Sequence, residues 1–170
     1  YTLALHDALP TSILLGRPIK WSENRQENMT AFHGRGHSVE LEAAVKSDGL
    51  ILGIRVNIVA DLGAYFFSST PTVPVLTTHR LTGPYRTPAM SVEVQGVVTN
   101  KPPTGAYRGA GGPEAALCME RTVDLNALDL GLDPAEIRRR NFISPEAFPH
   151  DTPTGIPYDS GDYDVGRAHV

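Results

Sequence analysis

Residues 101–116 read KPPTGAYRGAGGPEAA, with four glycines and a single arginine, Arg108, between an apolar stretch and an expected helix. A segment so poor in side chains leaves its backbone N–H groups accessible and lets a bulky ligand lie against the main chain. A helix N-terminus with free amides attracts anions, phosphate above all, and Arg108 adds a planar fork of donors suited to phosphate oxygens. Two familiar nucleotide loops do not fit. No Gly-Lys-Ser/Thr follows as in a P-loop, and Glu114 stands where the dinucleotide register needs a third small residue. The ligand-free reading is a glycine-rich connection that lets strand and helix pack closely.

Other constellations carry less chemistry. His33 and His37 have the separation of a zinc-binding helix, but Gly34 and Gly36 speak against a helix there. YDSGDYD (158–164) misses the EF-hand register and reads as a helix cap. Glu23 with Glu27, and Asp159 with Asp162, are spacings that surface carboxylates often adopt. None of these is assigned a site.

The elements that must position the loop are read from periodicity. RPIKWSE (17–23) alternates like a strand, and NRQENM (24–29) reads as a polar connection. Residues 38–47 and 50–61 alternate on either side of Asp48-Gly49, a dipeptide suited to a tight hairpin turn. The stretch 62–85 is rich in Pro, Ser and Thr and reads as irregular chain with a short helix. A β-branched strand over 90–100 delivers the chain into the loop. Pro113 then opens a helix through Leu130 whose stripe is Ala116, Leu117, Met119, Val123, Ala127 and Leu128. Gly131 stops it. Asp133 caps a second helix, with Pro134 first and Glu136 third, ending near Asn141. The tail is turn-rich, with a further helix start at Ser160 to Asp162. The class is α+β: strands and a β-hairpin first, helices after the glycine-rich loop.

Composition bounds the rest. A chain of 170 residues, 41% hydrophobic, buries one core. A formal charge of −4 and a pI near 5.8 argue against a nucleic-acid surface. The one basic run, Arg138 to Arg140, falls in the last turn of a helix, where cations complement the dipole. A lone cysteine, Cys118, excludes an intrachain disulfide or a cysteine-held iron–sulfur cluster, and fits a reducing, cytoplasmic compartment. No apolar run approaches the roughly 20 residues of a membrane helix, so no membrane partner is expected. Residues 1–12 match poorly in character with the chain from Gly16 onward and are read as a non-native leader, leaving 13–170 as an incomplete domain.

TGAYRGAGGPEA, LGRPIKWSENRQENM, LGLDPAEIRRRNFI and TPTGIPYDSGDY together resemble, in order and spacing, the large subunits of the molybdenum hydroxylases, the xanthine dehydrogenase and aerobic carbon monoxide dehydrogenase type. The resemblance covers about residues 14–164 and implies part of a molybdenum cofactor-binding domain. It implies that Arg108, Gly109, Ala110, Gly111 and Gly112 lie against molybdopterin, in its cytosine dinucleotide form, and that Ala110 and Leu76 line the substrate space. An iron–sulfur small subunit, an FAD-binding medium subunit, the rest of the large subunit and a small-molecule substrate are the implied partners.

The departures narrow the substrate. Copper-containing carbon monoxide oxidisers carry a cysteine where Gly109 stands, and Cys118 is too far along to replace it. Purine oxidisers carry a phenylalanine at Ala110 and an arginine at Leu76, unless the alignment there slips to Arg80. An aldehyde or an N-heteroaromatic is the expected substrate. The family's catalytic glutamate and its glutamine-bearing cofactor loop are absent from this chain, so no catalytic residue is expected here and the fragment alone is not expected to turn over. The reading from another class is a non-catalytic anion- or nucleotide-binding α+β module.

Overall fold

A computed structural model describes residues 2–67 and 69–164. Its centre is a long hairpin. β1 (His37–Val45) pairs antiparallel with β2 (Ile51–Gly63), and β2 in turn pairs parallel with β3 (Met90–Val98), giving the order β1-β2-β3. The hairpin turns where the sequence places it: Gly49 N–H donates to the Lys46 carbonyl at 2.9 Å, Lys46 N–H to the Leu50 carbonyl at 2.9 Å, and Gly49 is left-handed.

β2 alternates strictly, with Ile54, Val56, Ile58 and Ala60 facing the core and Arg55, Asn57 and Val59 exposed. Helix α4 (Gly112–Leu130) completes this core through Ala115, Met119, Val123 and Ala127, an i, i+4 stripe. Ala115 therefore replaces Ala116 in the expected stripe, while Leu117 and Leu128 are 70% and 75% exposed. The apolar letters recur at helical spacing, but docking on the sheet selects the phase of the buried face. Gly131 ends α4 in a left-handed cap. Asp133 then caps α5 (Pro134–Asn141), its carboxylate accepting from Ala135 N at 2.9 Å and Glu136 N at 3.0 Å. Arg138 ties α5 to α4 through Glu120 at 2.8 Å and Asp124 at 2.9 Å.

Two expectations fail in the N-terminal part. Residues 17–23 form no strand: Ile19 and Trp21 are exposed, and no described strand pairs with the segment. Alternation without a partner leaves backbone groups to water. The expected polar connection is instead helix α2 (Arg25–Ala31), started by a reciprocal cap in which Asn24 Oδ1 accepts from Glu27 N and Glu27 Oε2 from Asn24 N. Before it, α1 (Thr2–Leu15) leaves Leu9, Ile13, Leu14 and Leu15 exposed. Helix α3 (Thr72–Arg80) is the short helix expected within 62–85. After α5 come a 3₁₀ turn (Pro145–Ala147) and a small ribbon of β4 (His150–Asp151) and β5 (Pro157–Tyr158). Residues 159–164 are not helical, and any continuation lies outside the described residues. No described helix is long and apolar enough to cross a membrane.

The chain entering the loop is bracketed to the end of β2. Asp61 accepts from Lys101 Nζ at 2.7 Å, Thr99 Oγ1 at 2.6 Å and Gly63 N at 2.9 Å. His33 uses both ring nitrogens on the same segment, with the Pro102 carbonyl and the Thr104 hydroxyl. Thr104 in turn donates to the Asp61 carbonyl. The described residues hold no cluster of three or more His, Cys, Asp or Glu able to ligate a metal.

Two measurements test this packing. Asn141 is buried, donating to the Gly49 and Ile137 carbonyls at 2.8 Å each and accepting from Ile51 N at 2.9 Å. Asn141→Ala strands those groups and should cost about 3 kcal/mol in urea unfolding, and a loss near zero would contradict the arrangement. Lys101, then Thr99, hold the Asp61 carboxyl well below the usual carboxylate range. A depressed folded pKa contributes stability above the unfolded value of about 3.9 that is lost as pH falls further. Between pH 7 and pH 3 the wild-type urea midpoint should therefore drop more than that of Asp61→Asn. Equal drops would show that the bracket is not formed.

Candidate cofactor-binding loop

From Arg108 to Gly111 the backbone runs through four consecutive positive φ angles, 30°, 103°, 37° and 86°. Arg108 and Ala110 are not glycines, and each left-handed L-residue costs about 1–2 kcal/mol. Such a run persists only where its surroundings over-determine it.

Arginines from two distant segments do so. Arg35 Nη2 donates to the Arg108 carbonyl at 3.1 Å. Arg80, the last residue of α3, donates from Nη1 to the Gly109 carbonyl at 2.6 Å and the Ala110 carbonyl at 3.1 Å. Inside the loop, Ala110 N–H reaches the Tyr107 carbonyl at 3.3 Å and Gly112 N–H the Gly109 carbonyl at 2.9 Å. Among the described residues, the N–H groups of Arg108, Gly109 and Gly111 form no hydrogen bond.

The expected site residues therefore divide. Gly111 is dictated by packing: a Cβ there would collide with the Val73 carbonyl and lie 2.5 Å from Thr77 N, so its bare backbone lets α3 lie against the start of α4. Gly112 is the first residue of α4, with Pro113 behind it. Arg108 and Gly109 are exposed and Ala110 half-buried. Leu76 is half-buried on α3, one residue before Thr77 and one helical turn before Arg80. The helix meets the loop through Val73 and Thr77, packed on Gly111, and through Arg80.

Arg35, Arg80, Glu114 and Tyr107 shape the local charge. Glu114, third in α4 and 8% exposed, has neither carboxylate oxygen hydrogen-bonded among the described residues. Its charge is met by Arg35 Nε at 3.5 Å and by the helix N-terminus. The Arg35 guanidinium also lies over the Tyr107 ring, 5.4 Å from its centre, with Tyr107 itself 60% exposed. Burial lowers the pKa of His37 while Glu114 opposes that shift. Burial and then Glu114 push the Cys118 thiol up, so it is neither a ready nucleophile nor a ready metal ligand. With Glu114 answered by Arg35, the positive charges of Arg80 and Arg108 remain. Unpaired amides, the N-terminus of a 19-residue helix and an exposed guanidinium are the donor set that an anionic, phosphate-bearing pterin needs. The residues present fit such a group.

The loop is written in contiguous residues, but its clamps are not. Arg35 lies 73 residues and Arg80 29 residues from their acceptors, and no local spacing reports contacts of that range.

Comparison with known proteins gives the family of the chain. The family described as molybdopterin cofactor-binding domain matches residues 6–142. The carbon monoxide dehydrogenase large chain of Hydrogenophaga pseudoflava is 48% identical over 168 residues, covering 96% of this chain and 21% of that protein. The gamma subunit of the 6-hydroxypseudooxynicotine dehydrogenase complex of Paenarthrobacter nicotinovorans is 40% identical, covering 89% and 19%. Reconstituted CO dehydrogenase from Oligotropha carboxidovorans superposes with a TM-score of 0.83 at 39% identity, over 93% of this chain and 20% of the other. The chain thus spans about one fifth of the length of these relatives. A family match over most of the chain, on a fold that presents the expected loop, leads to one conclusion: the chain belongs to the molybdopterin cofactor-binding domain family.

Proposed function

We propose that the chain is the loop-bearing piece of a molybdenum hydroxylase large subunit. The observation that carries this is the 108–111 run, whose carbonyls are held by protein while the amides of Arg108, Gly109 and Gly111 have no partner among the described residues. Arg108 binds the cofactor's anionic oxygens through its fork of donors. The amides of Arg108, Gly109 and Gly111 orient it, and the N-terminus of α4, opening at Gly112, adds its partial charge. The cytosine dinucleotide form of molybdopterin suits this set, since its pyrophosphate adds negative charge. When bound, the group supplies a redox-active molybdenum that accepts an electron pair from substrate.

The substrate is an aldehyde or an N-heteroaromatic compound. Gly109 has no side chain and Ala110 only a methyl group, so neither offers a sulfur ligand or an aromatic clamp. Cys118 is held as a thiol on α4. Leu76, assigned to the α3 side of the substrate space, adds an apolar side chain. The rest of the large subunit supplies the proton-transferring base. An iron–sulfur small subunit and an FAD-binding medium subunit carry the electrons away, in the cytoplasm.

Arg108→Met keeps the apolar stem and deletes the donors. Charge-assisted hydrogen bonds of roughly 1.5–3 kcal/mol each imply at least about a tenfold loss of molybdenum from the complete enzyme. The melting temperature should be retained, and Arg108→Lys should rescue little. Wild-type molybdenum content and turnover in Arg108→Met would contradict the assignment.

A further inference from the structure

We propose that Arg80 is a positioning residue for the cofactor: its guanidinium holds Gly109 and Ala110 in the conformation that leaves the loop amides free. This rests on the reading of 108–111 as the cofactor-binding run. Arg80 ends α3, where a cation complements the helix dipole, and that role alone is met by any exposed cation. Its bonds go elsewhere. One nitrogen, Nη1, bridges the Gly109 and Ala110 carbonyls, 29 and 30 residues along the chain.

The register of that bridge is fixed independently. Gly111 fits against Val73 and Thr77 of the same helix, so α3 is docked on the loop one and two turns before Arg80, and the guanidinium needs only to reach across. Of the two residues that Arg80 holds, Ala110, at φ 37°, has more to gain from release, since an L-residue relaxes toward negative φ. That rotation would turn the peptide joining Ala110 to Gly111 and with it the Gly111 N–H, one of the groups left without a protein partner. Arg80 thus acts through the loop backbone and not by touching the reacting atoms. A lysine has the charge for the dipole, but its ammonium ends a shorter stem and lacks the fixed, planar pair of N–H donors that Nη1 directs at the two carbonyls.

The test uses the complete enzyme carrying Arg80→Met or Arg80→Lys, with molybdenum content, melting temperature and amide exchange measured by peptide. Arg80→Met should lower molybdenum about tenfold or more and speed exchange across 105–116, with exchange across 51–63 and the melting temperature unchanged. Arg80→Lys should resemble Arg80→Met, and it carries the test if Arg80→Met does not fold. Wild-type molybdenum content, wild-type exchange over 105–116, or full rescue by lysine each overturns the proposal. Arg108→Met separates the two readings. If it keeps its molybdenum, the loop does not bind the cofactor at all; if it loses molybdenum while Arg80→Met does not, only the positioning role falls.

Discussion

The left-handed run from Arg108 to Gly111 is the constraint on which the site depends. An L-chain leaves this region unless held, and here it is held by its oxygens: Arg35 on one carbonyl and Arg80 on two. Fixing the carbonyls from the protein side divides the donors from the acceptors of a short stretch of backbone. The acceptors are satisfied within the chain, whereas the N–H groups of Arg108, Gly109 and Gly111 have no partner among the described residues. A glycine-only loop would adopt these angles without strain but would lack both the Arg108 side chain and a reason to stay in them.

The rest of the fold brings the three parts of this arrangement together. The hairpin and β3 give a sheet whose one face is closed by α4, which fixes where the loop must end. The bracket of Asp61, Lys101, Thr99, His33 and Thr104 fixes where it must begin. α3, on the crossover between β2 and β3, is docked through Gly111 and delivers Arg80. Arg35 precedes β1 and links loop, Tyr107 and the buried Glu114. Glu114 stays beneath the loop because a guanidinium and a helix terminus both answer its charge.

Features encoded by neighbours in sequence were legible. The hairpin is written in the alternation around Asp48-Gly49, and α4 and α5 in Pro113, Gly131, Asp133 and Pro134. The loop is legible because its glycines and Arg108 are contiguous. The features that were missed depend on partners elsewhere. Residues 17–23 alternate but have no strand beside them, and α2 rests on a cap between Asn24 and Glu27 with no apolar stripe to reveal it. The phase of α4 was set by the sheet, which chose Ala115 and left Leu117 and Leu128 outside. Arg35 and Arg80 look like ordinary surface cations until the fold brings them to the loop.

The most direct test of the central claim is a crystal structure of the complete, cofactor-loaded enzyme. Anionic oxygens of the cofactor should lie about 3 Å from the backbone nitrogens of Arg108, Gly109 or Gly111, with the Arg108 guanidinium on the same group. Amides paired instead with another protein segment, and a cofactor beyond hydrogen-bonding reach of the loop, would contradict this role for the 108–111 run.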